Sequence, residues 1–333
     1  MDFVFNFAKN IKFLEMKAID IIKTRQLEWA KRNIGKEKLN NDYPFYCNDV
    51  KDNIFDNELD ECVKTQFDNA KGNELDDKKY PAKMKALYSS SALCVNVFQY
   101  FAVGEGKNNA LELLVACKLV SDGYSGKVSS INFEETGYKI PDISEPNIDV
   151  VVKIESENKK QLFAIESKFS EPYSSHRGNF LKEKYCIEEN RNVWENDKIK
   201  GLYDALEIDC KEKVSRLSKD KEGKERLEYG RYIFDYERLD GAQLLKHILG
   251  VVNGNDCKDS EITLVYLWYD TFGSEGAKHR EEIEDFRKRI ERNSKVKVRH
   301  ATYQEVIANL CNSEKLDYSK HKKYIDYITE RYL

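Results

Sequence analysis

No stretch of this 333-residue chain stays apolar for the roughly 18 residues that a membrane-spanning helix requires. Its opening segment, MDFVFNFAKNIKFLEMKAIDIIK, is broken by Asp2, Lys9, Lys12, Glu15 and Lys17. That leaves no secretory apolar core, so a cytoplasmic location without membrane contact is expected. Metal-binding cysteine pairs are missing too. The eight cysteines contain no C-x-x-C, and the five histidines never stand three to five residues apart. Structural zinc is therefore disfavoured, and the thiols read as small buried hydrophobes. A global excess of positive charge is also lacking: the net charge is −4, so nucleic-acid contact must rest on local clusters. The stretch G-E-G-K-N-N at 104–109 lacks the first glycine and the final Ser/Thr of a phosphate loop. Neither a G-x-S-x-G elbow nor an H-E-x-x-H pair occurs.

What is present is a core-forming composition. Hydrophobic residues make up 41% and aromatics 12%, which excludes a disordered chain. A charged fraction of 34% and a mean hydropathy of −0.70 fit solvated helices around that core. Residues 1–80 read as a charged helical accessory region, with Phe3, Phe7, Ile11, Phe13, Met16, Ile19 and Ile22 at roughly helical spacing. The breaks at Asn40-Asn41-Asp42 and Pro44 interrupt it, and no chemistry is visible there. Pro81 suits the first turn of a helix whose apolar face is Leu87, Cys94, Val97, Phe98 and Phe101, with Ser89, Ser90 and Ser91 easing its packing. A second helix over 108–120 is apolar nearly all round and carries Glu112.

Strands are expected at 148–154 (IDVVVKI) and 162–169 (LFAIESKF), joined as an antiparallel hairpin across the polar run 155–160, with a weaker strand at 127–133. Further strands at 262–269 and 296–300 flank a charged helix at 278–292, an order that implies a parallel crossover. Residues 174–240, rich in Lys and Glu, read as a charged helical insertion. Together these give an α/β fold, with a mixed central sheet flanked by helices over 81–310 and a helical tail at 311–333.

The chemistry concentrates in P-N-I-D, ending at Asp149, and A-I-E-S-K, which holds Glu166 and Lys168. Period two along a strand puts Glu166 and Lys168 on one face, and Asp149 opens the neighbouring strand. Two converging carboxylates suit a hard divalent cation such as Mg2+, with Mn2+ as a substitute. A lysine beside them would position a water for phosphodiester hydrolysis. Acid-x-lysine triplets are common in so charged a chain: Glu157/Lys159, Glu222/Lys224, Asp76/Lys78 and Asp209/Lys211 all read as solvated surface. Glu166/Lys168 differs because it lies within an apolar strand, where bare charge is costly.

The arrangement resembles the PD-(D/E)xK nuclease superfamily, the restriction-endonuclease-like fold. The specific match is Asp149, Glu166 and Lys168 and the order of elements around them. The resemblance implies a magnesium-dependent nuclease of defence or repair type, acting on DNA rather than RNA. It further implies Asp149, Glu166 and Glu112 as metal ligands, Lys168 as the water-positioning residue, and Gln243 on the following helix, with His247 one turn on. Asn147 stands where a second acid of a pair is absent, and His247 where some members carry tyrosine. Arg287, Lys288, Arg292 and Lys295 belong to a basic run suited to phosphates, or equally to a solvated helix face. A homodimer is compatible with this reading. The competing reading is a nuclease-like module that binds nucleic acid or protein without cutting.

Overall fold

The computed structural model describes residues 16–333 except 71, 79, 137, 139–145, 158, 175–177, 220–223 and 255–259. Phe3, Phe7, Ile11 and Phe13 lie outside the described residues. In chain order the strands are β1 (Lys127–Glu135), β2 (Ile148–Ser156), β3 (Lys159–Lys168), β4 (Phe180–Lys182), β5 (Val214–Lys219), β6 (Glu225–Tyr232), β7 (Ser260–Trp268) and β8 (Lys297–Thr302). The helices are α1 (Ala18–Asn33), α2 (Glu61–Asn69), α3 (Ser90–Ala102), α4 (Ala110–Ala116), α5 (Leu202–Ala205), α6 (Gly241–Asn253), α7 (Ser274–Asn293), α8 (Tyr303–Cys311) and α9 (Tyr318–Tyr332). Among the described residues no helix is long and apolar enough to cross a membrane.

The central sheet has the order β1-β2-β3-β7-β8. β1, β2 and β3 pair antiparallel, while β3, β7 and β8 run parallel, the last two joined through α7. The β2–β3 hairpin reaches further than expected, to Ser156↔Lys159, because Glu155 faces Lys160 across the ladder as an opposite-charge pair. Alternation along these strands fills two cores. Val150, Val152, Phe163, Ile165 and Val265 pack with α1, α3, α4, α8 and α9; Val151, Leu162, Ala164 and Leu264 pack with α6, α7 and the insertion.

Three local expectations change. Pro81 does not open a helix: a 3-10 turn at Lys83–Lys85 follows, and α3 starts later, where the Ser89 hydroxyl accepts from the Ala92 amide at 3.2 Å. The 108–120 helix shortens to α4, since Lys118 turns left-handed with φ 58° and ends the run. The insertion is helical only in short turns between Glu183 and Cys210, α5 among them, and its flanks are strands. β4, β6 and β5 form a second, three-stranded antiparallel sheet. Its Lys and Glu content suits a helix by composition, but V-S-R-L-S-K and E-R-L-E-Y-G-R-Y pair Arg216 with Glu228, Leu217 with Leu227 and Lys219 with Glu225, which only a ladder brings together.

α9 is built into the first core through Tyr324, Ile328 and Tyr332, beside Ile22 of α1 and Phe98 and Phe101 of α3. α6 approaches β2 closely at Gly250, where an added Cβ would lie 2.4 Å from Pro146 Cγ. The turn ahead of α6 is held by Glu282 of α7. Its buried carboxylate accepts the amides of Glu237, Arg238 and Leu239 at 2.8, 2.8 and 2.9 Å.

Candidate active site

The register of the central sheet lines up a row of polar side chains. Val150 pairs with Ile165, so Asp149 and Glu166 stand one step beyond as neighbours on the α6 face. Phe133 pairs with Val150, which sets Glu134 of β1 beside Asp149, and Glu166 pairs with Tyr266 of β7. The row Glu134, Asp149, Glu166 and Tyr266 thus crosses four strands. α6 packs on β3 and β7 of this row.

Glu166 is fully buried. One of its oxygens, Oε1, pairs with the ammonium of Lys168. The other, Oε2, lies 3.2 Å from His247 Nδ1, at an angle that makes no hydrogen bond, so both atoms are buried and unpartnered among the described residues. A buried carboxylate oxygen in that state is costly and points to a group that completes it. Asp149 is half-buried and accepts the Ser167 amide at 2.7 Å through Oδ2. Burial first, and then the charge of Glu166, push its carboxyl well above the usual carboxylate range.

Burial pulls the Lys168 ammonium down, but Glu166, Asp149 and Glu171 outweigh it and hold Lys168 above the ordinary lysine value. It is a fixed cation at neutral pH. Glu171 is itself tied down, accepting from Ser90 Oγ at 2.5 Å and from the Phe169 amide at 2.9 Å. His247 is driven toward its neutral form by burial, against the pull of Glu166.

Glu134 was not anticipated. Burial, then Glu74 and Glu166, push its carboxyl up to about 7. Asn147 of the P-N-I-D run donates to its Oε2 at 3.3 Å. Its φ of 47° is a backbone strain uncommon outside Gly and Asn. The signal was present in the sequence only as a strand position opposite Asp149, and reading it requires the β1–β2 register. Tyr266 follows the same logic. Its hydroxyl contacts His279 Nε2 at 3.0 Å.

Of the residues expected at the site, the structure brings Asp149, Glu166 and Lys168 together. Gln243 is half-buried on α6, one turn before His247, with its amide accepted by the capping carboxylate of Asp240 at 3.0 Å. Glu112 is elsewhere. Its helix α4 packs against the opposite face of the sheet, and its carboxylate accepts from Ser313 at 3.0 Å. The face a helix turns to a sheet cannot be read from its own apolar pattern, and that is why Glu134, not Glu112, is the third acid here. Arg287, Lys288 and Arg292 lie on α7, Lys295 just beyond it.

Among the described residues no three His, Cys, Asp or Glu side chains converge tightly enough to hold a metal ion as they stand. The donor chemistry nevertheless fits a hard cation. Mg2+ needs only one or two carboxylates and keeps its waters, and Glu166 Oε2 is a buried carboxylate oxygen with no hydrogen bond among the described residues, only the His247 ring 3.2 Å away.

A family model described as Restriction Endonuclease associating with ARP matches residues 23–333. That span holds both sheets and every site residue above. No curated protein and no solved structure matches the chain.

Proposed function

The chain belongs to the family of restriction endonucleases associating with ARP, and from that premise we propose that it is a metal-dependent nuclease cutting phosphodiester bonds in DNA. The observation that carries the reading is the buried Glu166, with one oxygen on Lys168 and the other unsatisfied, beside Asp149. Asp149 and Glu166 would hold Mg2+, or Mn2+ in its place, with Glu134 the third carboxylate of the row. When bound, the cation lowers the pKa of an attacking water and offsets charge on the phosphate.

The rest falls to the chain. The Ser167 amide fixes the rotamer of Asp149. Lys168, held cationic, stabilises negative charge growing on the phosphate and orients the water, and needs no rearrangement to do so. Gln243, at the rim one turn before His247, would contact the DNA backbone. One cluster per chain cuts one strand, so cleavage of both strands would engage two copies. A cytoplasmic site of action and a protein partner, the ARP of the family's description, belong to the same proposal.

Cleavage of supercoiled plasmid with millimolar Mg2+ or Mn2+ tests it. Wild type should cut, EDTA should abolish cutting, and Glu166→Ala and Lys168→Ala should each lose it, read per folded molecule because either substitution breaks a buried ion pair. Equal cutting by all three would place the activity elsewhere. No cutting by wild type on plasmid or single-stranded DNA would favour the module that binds without cutting.

A further inference from the structure

One buried contact at the cluster is poor as it stands. Lys168 takes one oxygen of Glu166, and the other, Oε2, faces His247 Nδ1 at 3.2 Å without a hydrogen bond. Both residues are at most 3% exposed, so water does not make up the loss. If Nδ1 carries a proton, the angle wastes it; if it does not, two lone pairs face each other. Either state is costly in the core unless a positive charge lies between the two atoms. The neighbouring Lys246 acts on Glu166 only through space.

The backbone holds this pair in place from both sides. Glu166 sits within β3, laddered to Tyr266 of β7. His247 lies on the buried face of α6 with Leu244 and Val251. The start of that helix is locked. Asp240 accepts the amides of Gln243 and Asn179 at 3.0 and 2.9 Å, and Asn179 Oδ1 accepts the Gly241 amide at 2.8 Å. Its far end is set by the close approach of Gly250 to Pro146. The separation of the two atoms is therefore a property of the packed helix and sheet.

That separation suits a shared cation. Divalent ions bind carboxylate oxygen and imidazole nitrogen at about 2.0–2.2 Å, so two adjacent octahedral positions lie about 3 Å apart. Two protein donors suffice where waters fill the remaining positions. Imidazole, unlike carboxylate, is a ligand of transition ions rather than of Mg2+.

We propose that His247 Nδ1 and Glu166 Oε2 are neighbouring ligands of one divalent ion, and that the imidazole makes this site prefer a first-row transition ion to Mg2+. The inference rests on the metal-dependent reading of the cluster, and adds to its carboxylates a ligand from α6. Docking of α6 on the sheet then completes the metal site.

Calorimetric titration of the full chain, without DNA, with Mg2+, Mn2+ and Co2+ tests it. Wild type should bind Co2+ more tightly than Mn2+, and Mn2+ more tightly than Mg2+. His247→Gln should weaken Mn2+ and Co2+ about tenfold or more and Mg2+ far less, so that the preference collapses. Glu166→Gln should weaken all three. Pulsed EPR of bound Mn2+ reads the ligand directly, as a nitrogen coupling present in wild type and absent from His247→Gln. The wild-type spectrum serves even should the buried variant fold poorly. Mn2+ bound without a nitrogen coupling, or not bound at millimolar concentration, would overturn the assignment. So would a His247→Gln protein with the wild-type ratio of Co2+ to Mg2+ affinity, the result expected of a purely structural histidine. Plasmid cutting is read separately. A nitrogen-coupled ion without cutting sinks the nuclease reading alone, and cutting without the coupling sinks the His247 ligand alone.

Discussion

Glu134 shows how much a single strand position can carry. It is a buried acid with two carboxylates for neighbours, Glu74 and Glu166, and a carboxyl raised to about 7. A group merely filling space there would be a poor choice, since its charge is opposed by burial and by both neighbours. Glu134→Gln keeps the shape and the Asn147 contact but removes the negative charge. Plasmid cleavage in Mg2+ should fall roughly ten- to a hundredfold, the scale typical of groups that tune a metal site, with the melting temperature held or raised. Unchanged cleavage would make Glu134 a bystander. Lys168, by contrast, was legible from the start, because period two within one strand fixes its side relative to Glu166 whatever surrounds them.

Ladders in both sheets are clamped by carboxylates held low. In Glu228, burial is outweighed by hydrogen bonds and charge from Lys182 and Arg216, bringing its carboxyl down to about 2. Hydrogen bonds from Lys159 and Lys297 bring Glu261, which links β3, β7 and β8, down to about 2 as well. Both lie below the ordinary 4.5. A carboxylate depressed on folding contributes stability above its unfolded value and loses it as pH falls through the folded one. Unfolding free energy from urea titrations should therefore be level from pH 7 to about 5 as far as these groups are concerned, then fall between about 4.5 and 2. Glu228→Gln should flatten part of that fall, and an acid profile identical to wild type would remove Glu228 from the account. The exposure of the partners keeps the effect modest.

At the scale of the whole molecule, α1 and α9 close the fold through a buried cation that, among the described residues, has no carboxylate paired with it. The Arg331 guanidinium is 3% exposed. It donates to Gln26 Oε1 at 3.1 Å, to the Asn53 carbonyl at 2.8 Å and to Tyr327 at 2.5 Å, and lies 4.4 Å over the Trp29 ring. Segments 305 and 278 residues apart meet on this one side chain. Arg331→Ala would strand those acceptors in the core and should lower the unfolding free energy by about 3 kcal/mol or more. Arg331→Lys should not restore it, because a point charge cannot occupy a planar fork. Denaturant unfolding measures both. Cleavage per folded molecule should persist, since this lock sits in the core on the other side of the sheet from Glu166.

By itself the sequence determined the strands of the central sheet, the β2–β3 hairpin, the parallel β7–β8 pair and the placing of Asp149, Glu166 and Lys168 together, which follow from local periodicity, a short polar turn and a strand–helix–strand order. Tertiary structure alone decided the rest. Glu112 and Glu134 are both acids near apolar segments, and only the packing of α4 against one face and the register of β1 against β2 separates them. The insertion had a helix's composition and a sheet's pairing, and the partner strand made the choice. His247 and Lys246 became neighbours of Glu166 only when α6 docked on the sheet at Gly250 and Pro146. Contacts between residues so far apart in the chain depend on how whole faces are buried together, which no single segment encodes.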